Sequence, residues 1–311
     1  MQNERHIWKE DAENGMVYLR NGITVAFFLP VPIDKIAATI LEGFDEYLKM
    51  IPPDTLRWAS VGANSEEWKP VVKKTFEKCR GQLNPEAARK RSLTSFELAD
   101  GNNGGEAPGH GVLIIGNPYD PDLPDERCLV QFYFPPKSIE DENVETFIAT
   151  VRKLANILPY TYGYASPALQ WSRLFSTEAL TQARAIAARH PGYDIEDNAV
   201  GRSYIDAKVR GARWLTFLGA EIAEKLGGSM SLRRRLPQTI TVEQVGPGVF
   251  MRAGVQPEIG DRNRKIGTPL LCEVAKVLEP VTTFGEMALY RTDFADQDEE
   301  VLARWERRFL D

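Results

Sequence analysis

The stretch TITVEQVGPGVFMRAG, residues 239–254, holds two β-rich runs separated only by Gly-Pro-Gly, a spacing that fits a hairpin and leaves no length for a helical crossover. Two more runs, GVLIIG (111–116) and CLVQFYF (128–134), are joined by NPYDPDLPDER, whose prolines preclude a tight turn, so the connection should project from the sheet. Strands that follow one another directly, with helices between the pairs, predict an α+β fold of mixed or antiparallel sheets with packed helices rather than a doubly wound parallel sheet. The order β-β-α-β recurs from Gly111 to Ser166 and from Thr239 to Thr292. It predicts two closely associated halves, residues 1–170 with an acidic loop and residues 171–311, with a boundary near Ser166 to Phe175. No linker-like sequence lies there, and the 311 residues are equally compatible with one compact domain.

Periodicity fills in the helices. ITVAFFLPVP reads as a strand leading into an amphipathic helix from Ile33 to Leu48, which must stop before Pro52 and Pro53. LRWASVG is a second strand, and Ser65 is expected to cap a helix whose apolar face is Trp68, Val71, Val72, Phe76 and Cys79. ADGNNGGEAPGHG has no period and reads as a surface loop. Ser138 and Asp141 resemble a capping box for a helix burying Val144, Phe147, Val151 and Leu154, with Glu140, Asp141 and Glu142 in its first turn. YTYGYAS is a strand, and Ser176 to His190 a helix stopped by HPGYD. GARWLTFLGAEIAEKLGG, residues 211–228, predicts a helix with Trp214, Leu215, Leu218, Ile222 and Leu226 on one side and Gly227 ending it in a left-handed conformation. A helix from Leu270 to Leu278, a strand EMALYRT and a helix from Asp296 to Phe309, started by Asp296 and Glu299, complete the chain.

Charge narrows the partners. The net charge is −6, yet between Phe96 and Thr150 eleven acidic residues face two basic ones, an excess larger than that of the whole chain. Such a surface repels nucleic acid and attracts a basic partner. Three widely spaced cysteines argue against disulfides and zinc, and His6, His110 and His190 show no metal or nucleophile spacing. In LGGSMSLRRR the glycines follow a helix, whereas a phosphate cradle needs them before one. No catalytic residue, metal or cofactor is therefore expected. A carboxylate-dependent or metal-dependent hydrolase using Asp261 or Asp122 is the alternative. The absence of a membrane-spanning apolar run or a secretory-type start makes the cytoplasm the expected compartment and membrane binding unexpected.

RHPGYDI, VRGARWLTFLGAEIAEKLGG, AGVQPEIGDRNR and LLCEVAKVLEPV follow one another in an order and spacing that resemble the type VI secretion system immunity protein family (TsiV/TsiT-like), first catalogued as a domain of unknown function. The likeness runs from about Ile23 to about Arg291. It implies a bacterial antitoxin that binds and neutralises a cognate secreted toxin, a DNase of restriction-endonuclease type with a basic groove. On that reading carboxylates occlude the groove. The expected contacts are Asp120, Asp122, Asp125 and Glu126 with Glu140, Asp141 and Glu142, and as a second choice Asp194, Glu196 and Asp197. Trp214, Phe217, Gly227, Gly228, Gly260 and Asp261 are assigned to holding the fold. An effector-loading adaptor or chaperone is a further alternative, and a homodimer is compatible with the sequence.

Overall fold

In the run VYLRNGITVAFFL, Ile23, Val25 and Phe27 point to one side and Ala26 and Phe28 to the other, so the strand they form needs cover on both faces. That strand is central in the computed structural model, which describes residues 7–62, 67–122, 127–140, 142–195, 197–202, 207–285 and 299–311. The strands are β1 (Trp8–Glu10), β2 (Val17–Leu29), β3 (Trp58–Val61), β4 (Trp68–Pro70), β5 (Thr94–Ala99), β6 (Gly111–Gly116), β7 (Cys128–Phe134), β8 (Tyr162–Trp171), β9 (Leu215–Leu218), β10 (Ile240–Val245) and β11 (Gly248–Ala253). They form one 11-stranded sheet in the order β10-β11-β9-β8-β2-β7-β6-β5-β3-β4, with β1 added to β2. The pairings between these strands are antiparallel. Strands from both sides of residue 170 share this sheet: β8 sets Ala165 opposite Val25 of β2 and Tyr164 opposite Thr216 of β9.

The helices are α1 (Ile33–Leu48), α2 (Lys73–Gln82), α3 (Pro85–Arg89), α4 (Asn143–Ile157), α5 (Ser176–Arg189), α6 (Asn198–Gly201), α7 (Ala220–Lys225), α8 (Gly228–Arg235), α9 (Pro269–Leu278) and α10 (Glu299–Glu306). Ile40 and Phe44 of α1 and Phe147 and Val151 of α4 pack with Val25 and Phe27 on one face. Ile222, Leu232 and Val274, from α7, α8 and α9, pack with Ala26 and Phe28 on the other. A third cluster gathers Leu19 and Leu169 with Ala183 of α5 and Trp305 of α10. The α+β class and the antiparallel pairing are as the sequence implies, and Cys79 and Cys128 are buried. Among the described residues no helix is long and apolar enough to cross a membrane.

Several local expectations are corrected. The helix expected over 211–228 is mostly something else: Leu215–Leu218 is β9, lying between β8 and β11, and only Ala220–Lys225 and the first residue of α8, Gly228, are helical. A short run buried on every side fits a central strand as well as a helix, and here strand pairing decides. Gly227 does take a left-handed φ of 83°, but it joins α7 to α8, so the glycines precede a helix as well as follow one. The basic run is the last turn of α8, where Arg233 Nε donates to the Val242 carbonyl at 2.8 Å. Trp68 lies on β4, and the next helix starts only at Lys73; the expected cap Ser65 lies outside the described residues. The glycine-rich stretch is tucked inward, with Gly105, Glu106, Ala107 and Pro108 buried and His110 mostly enclosed beside Asp100. The expected strand EMALYRT and the cap Asp296 also lie outside the described residues.

Candidate functional site

The β6–β7 connection presents Asp122 on the surface and Asp120 partly so, with the Asp122 amide donating to Asp120 Oδ1 at 2.9 Å. Its base is anchored on α1: the Tyr119 amide donates to Asp34 Oδ1 at 3.1 Å and the Ile33 amide to the Asn117 carbonyl at 3.0 Å. Asp125 and Glu126 lie outside the described residues. Glu140 and Glu142 are exposed at the other end of β7, after a 3-10 turn at Pro136–Ile139. The two acidic groups flank β7 in the chain, a strand of seven residues and roughly 23 Å. Ser138, expected to cap the helix, lies within that 3-10 turn. α4 begins at Asn143 without a side-chain cap, and its first-turn acid is Glu145, which pairs with Arg252 at 2.8 Å. Asp141 lies outside the described residues. Two further acids of the tract face inward: Asp100 accepts from the Gly109 and His110 amides, and Glu106 from the Asn102 amide and the Asn103 side chain.

Asp194 and Asp197 are buried. The Tyr164 hydroxyl donates to Asp194 Oδ2 at 2.6 Å, with Arg213 at 3.5 Å, and Arg173 grips Asp197 with two bonds of 2.9 Å. Glu196 lies outside the described residues. These acids belong to a polar row that the sequence reading missed. Across the sheet, Glu97, Leu113, Gln131, Ala26, Tyr164 and Thr216 stand opposite one another from β5 to β9. Asn198 crosses above it, donating to Gln131 Oε1 and to the Tyr164 hydroxyl at 2.7 Å each, and accepting from Arg210 at 3.1 Å. The available signal was a polar residue recurring at alternate positions inside apolar strands. A cavity of about 50 Å³ opens beside this row, and burial pushes the Glu97 carboxyl up to about 7 there. Among the described residues no group of His, Cys, Asp and Glu could hold a metal ion.

The residues assigned to the fold are buried or at turns. Trp214 stacks on Phe147 at 6.2 Å between centroids and donates from Nε1 to the Gly254 carbonyl at 3.2 Å. Phe217 meets Phe250 at 5.0 Å and Phe27 at 5.8 Å; burying one such ring contributes roughly 2–3 kcal/mol. Gly228 and Gly260 take positive φ angles of 73° and 70°. Asp261 accepts two bonds from Arg189, at 3.0 and 2.6 Å, and caps the following turn through the Asn263 and Arg264 amides. The Arg189 bonds hold its carboxyl well below the usual range, a carboxylate fully committed within the protein. Close by, a cavity of about 210 Å³ opens between Pro136, Ile139 and Glu140 on one side and Tyr193, Pro257 and Ile259 on the other.

The family model described as type VI immunity for VRR-NUC (TsiV) matches residues 39–309. The Pseudomonas aeruginosa T6SS protein PA0821 has a similar structure, with a TM-score of 0.80 and 18% identity, covering 98% of this chain and 87% of that one. At that identity the likeness is one of fold. No curated protein sequence matches the chain.

Proposed function

The chain belongs to the TsiV family, so it is a non-catalytic type VI immunity protein against a VRR-NUC nuclease, and from that premise we propose that it inhibits by seating exposed carboxylates in the enzyme's DNA groove. The match over residues 39–309 carries the immunity premise, and the exposed carboxylates of an anchored loop support the contact proposed. A nuclease groove must offer cations to phosphates, and a carboxylate-bearing loop competes for the same cations. The β6–β7 connection suits such a role, since Asp120 and Asp122 reach the surface while the loop base is bonded to α1. Asp125 and Glu126 extend the same acidic sequence. Glu140 and Glu142 form a second contact at the far end of β7, and the buried Asp194 and Asp197 support the sheet behind. The protein acts in the bacterial cytoplasm, where an injected DNase would meet the chromosome.

The test is co-purification with the cognate nuclease, followed by a DNA-cleavage assay with stoichiometric inhibitor. A stable complex that no longer cuts DNA supports inhibition; a stable complex that still cuts would assign the chain an adaptor role. Reversing Asp122, Asp125 and Glu126 to lysine is expected to weaken binding by about tenfold or more at low salt. Unchanged affinity in that variant would remove the loop from the interface.

A further inference from the structure

The cavity beside Ile23 and Pro167 is walled by two segments conspicuous in the sequence, HPGYD (190–194) and QPEIG (256–260). They meet backbone to backbone. The Gly192 amide donates to the Ile259 carbonyl at 2.9 Å, and His190 Nδ1 lies 2.7 Å from the Gly260 carbonyl. A Cβ on Gly192 would sit 2.0 Å from the Glu258 carbonyl oxygen, so the approach requires glycine. Glu258 accepts from the Leu270 and Leu271 amides at 2.9 and 3.2 Å, tying the wall to α9, while the Arg189–Asp261 pair ties it to α5. The wall is thus fixed before any partner arrives. Opposite it Pro136 and Ile139 present half-buried apolar surface, Glu140 stands exposed at the rim, and the nearby Val255 is 69% exposed.

We propose that this pocket receives one apolar side chain of the cognate nuclease, with a neighbouring lysine or arginine of that chain pairing with Glu140. The proposal rests on the immunity reading and adds an anchor distinct from the β6–β7 loop. Size fits: a cavity of roughly 150 Å³ accommodates a benzene ring, and this one measures about 210 Å³. Charge fits too, because a DNA-cutting partner is basic around its groove, and an acidic rim selects an apolar residue flanked by cations. A pocket already held open costs little ordering on binding, the setting in which a single buried side chain dominates affinity.

Three variants of the full chain, Ile139→Trp and Gln256→Trp to fill the pocket and Glu140→Lys to reverse its rim, are compared with wild type by calorimetric titration against catalytically inactivated nuclease. Gln256 and Glu140 are exposed, so those two variants fold regardless of how Ile139→Trp behaves. Expected are losses of about tenfold or more for each tryptophan and a several-fold, salt-sensitive loss for Glu140→Lys, with unchanged unfolding midpoints for the last two. Wild-type binding with all three variants unaffected would overturn the anchor and leave the inhibition reading standing. Wild-type chain that fails to bind the nuclease would overturn both. Self-association of the free chain, abolished by Gln256→Trp without effect on nuclease binding, would give the pocket to a second copy and likewise overturn the proposal.

Discussion

Glu97 sits in the polar row with Arg173, Asp197 and Tyr133 around it. Burial raises its carboxyl to about 7; Arg173 pulls the other way and Asp197 adds to the rise. A carboxyl whose folded value lies above its unfolded 4.5 binds protons more tightly when folded, so stability is lost as pH climbs from about 4.5 to about 7. Glu97→Gln removes that titration. It is expected to be more stable than wild type by on the order of 1–2 kcal/mol at about pH 8, with little difference near pH 4. Urea titrations at the two pH values measure it, and a wild-type profile as flat as the variant's would refute it. Asp261 has the opposite sign: Arg189 depresses its carboxyl, so its contribution is present at neutral pH and disappears on acidification. Asp261→Asn should therefore lower the melting temperature at neutral pH by an amount that shrinks in acid. The distinction between surface and interior acids was not legible in composition. Asp194 and Asp197 look like loop residues until Tyr164, Arg173 and Arg213 are brought against them by the sheet.

At the level of elements, an apolar stripe or a turn with a clear stop was readable, whereas a run buried on every side was not. The hairpin β10–β11 was readable because Gly246 and Pro247 turn the chain between pairing runs, setting Val245 opposite Gly248. α1, α5 and α9 were readable from one apolar stripe each and a clear stop. β9 was not: Trp214 to Leu218 is buried on every side, so helical and extended periods fit equally, and the neighbours that decide it come from residues 162–165 and 249–252. The strand β5 and the short helix α3 carry few apolar residues in sequence and gain their definition from pairing and from the Asn84 cap. Two glycines separate two kinds of constraint. Gly192→Ala drives a Cβ into the Glu258 backbone and is expected to cost about 2–3 kcal/mol, because the wall must shift. Gly227→Ala meets mainly the Ser231 side chain, so its cost of about 1 kcal/mol comes chiefly from the left-handed backbone. Denaturant midpoints measure both, and equal costs would show that the wall at Gly192 yields to the added methyl group.

Across the whole molecule the sheet acts as a spacer. The acidic loop after β6 and the Glu140 rim flank the two ends of β7, a strand of roughly 23 Å, while charges in physiological salt are screened over about 8 Å. On the proposed reading the two groups would therefore meet different parts of one partner without sensing each other's charge. Each should speed encounter with a basic nuclease at low salt, and each advantage should fade as salt rises. In a double-mutant cycle between Asp122→Lys and Glu140→Lys, the losses of binding free energy are expected to add within about 0.5 kcal/mol. Distance alone does not guarantee that result, since a partner that reorients when one end is lost would weaken the other contact as well. Additivity thus tests both the separation of the sites and the rigid docking of the two proteins. A coupling above about 1 kcal/mol would mean that the nuclease moves on this surface when either end is removed.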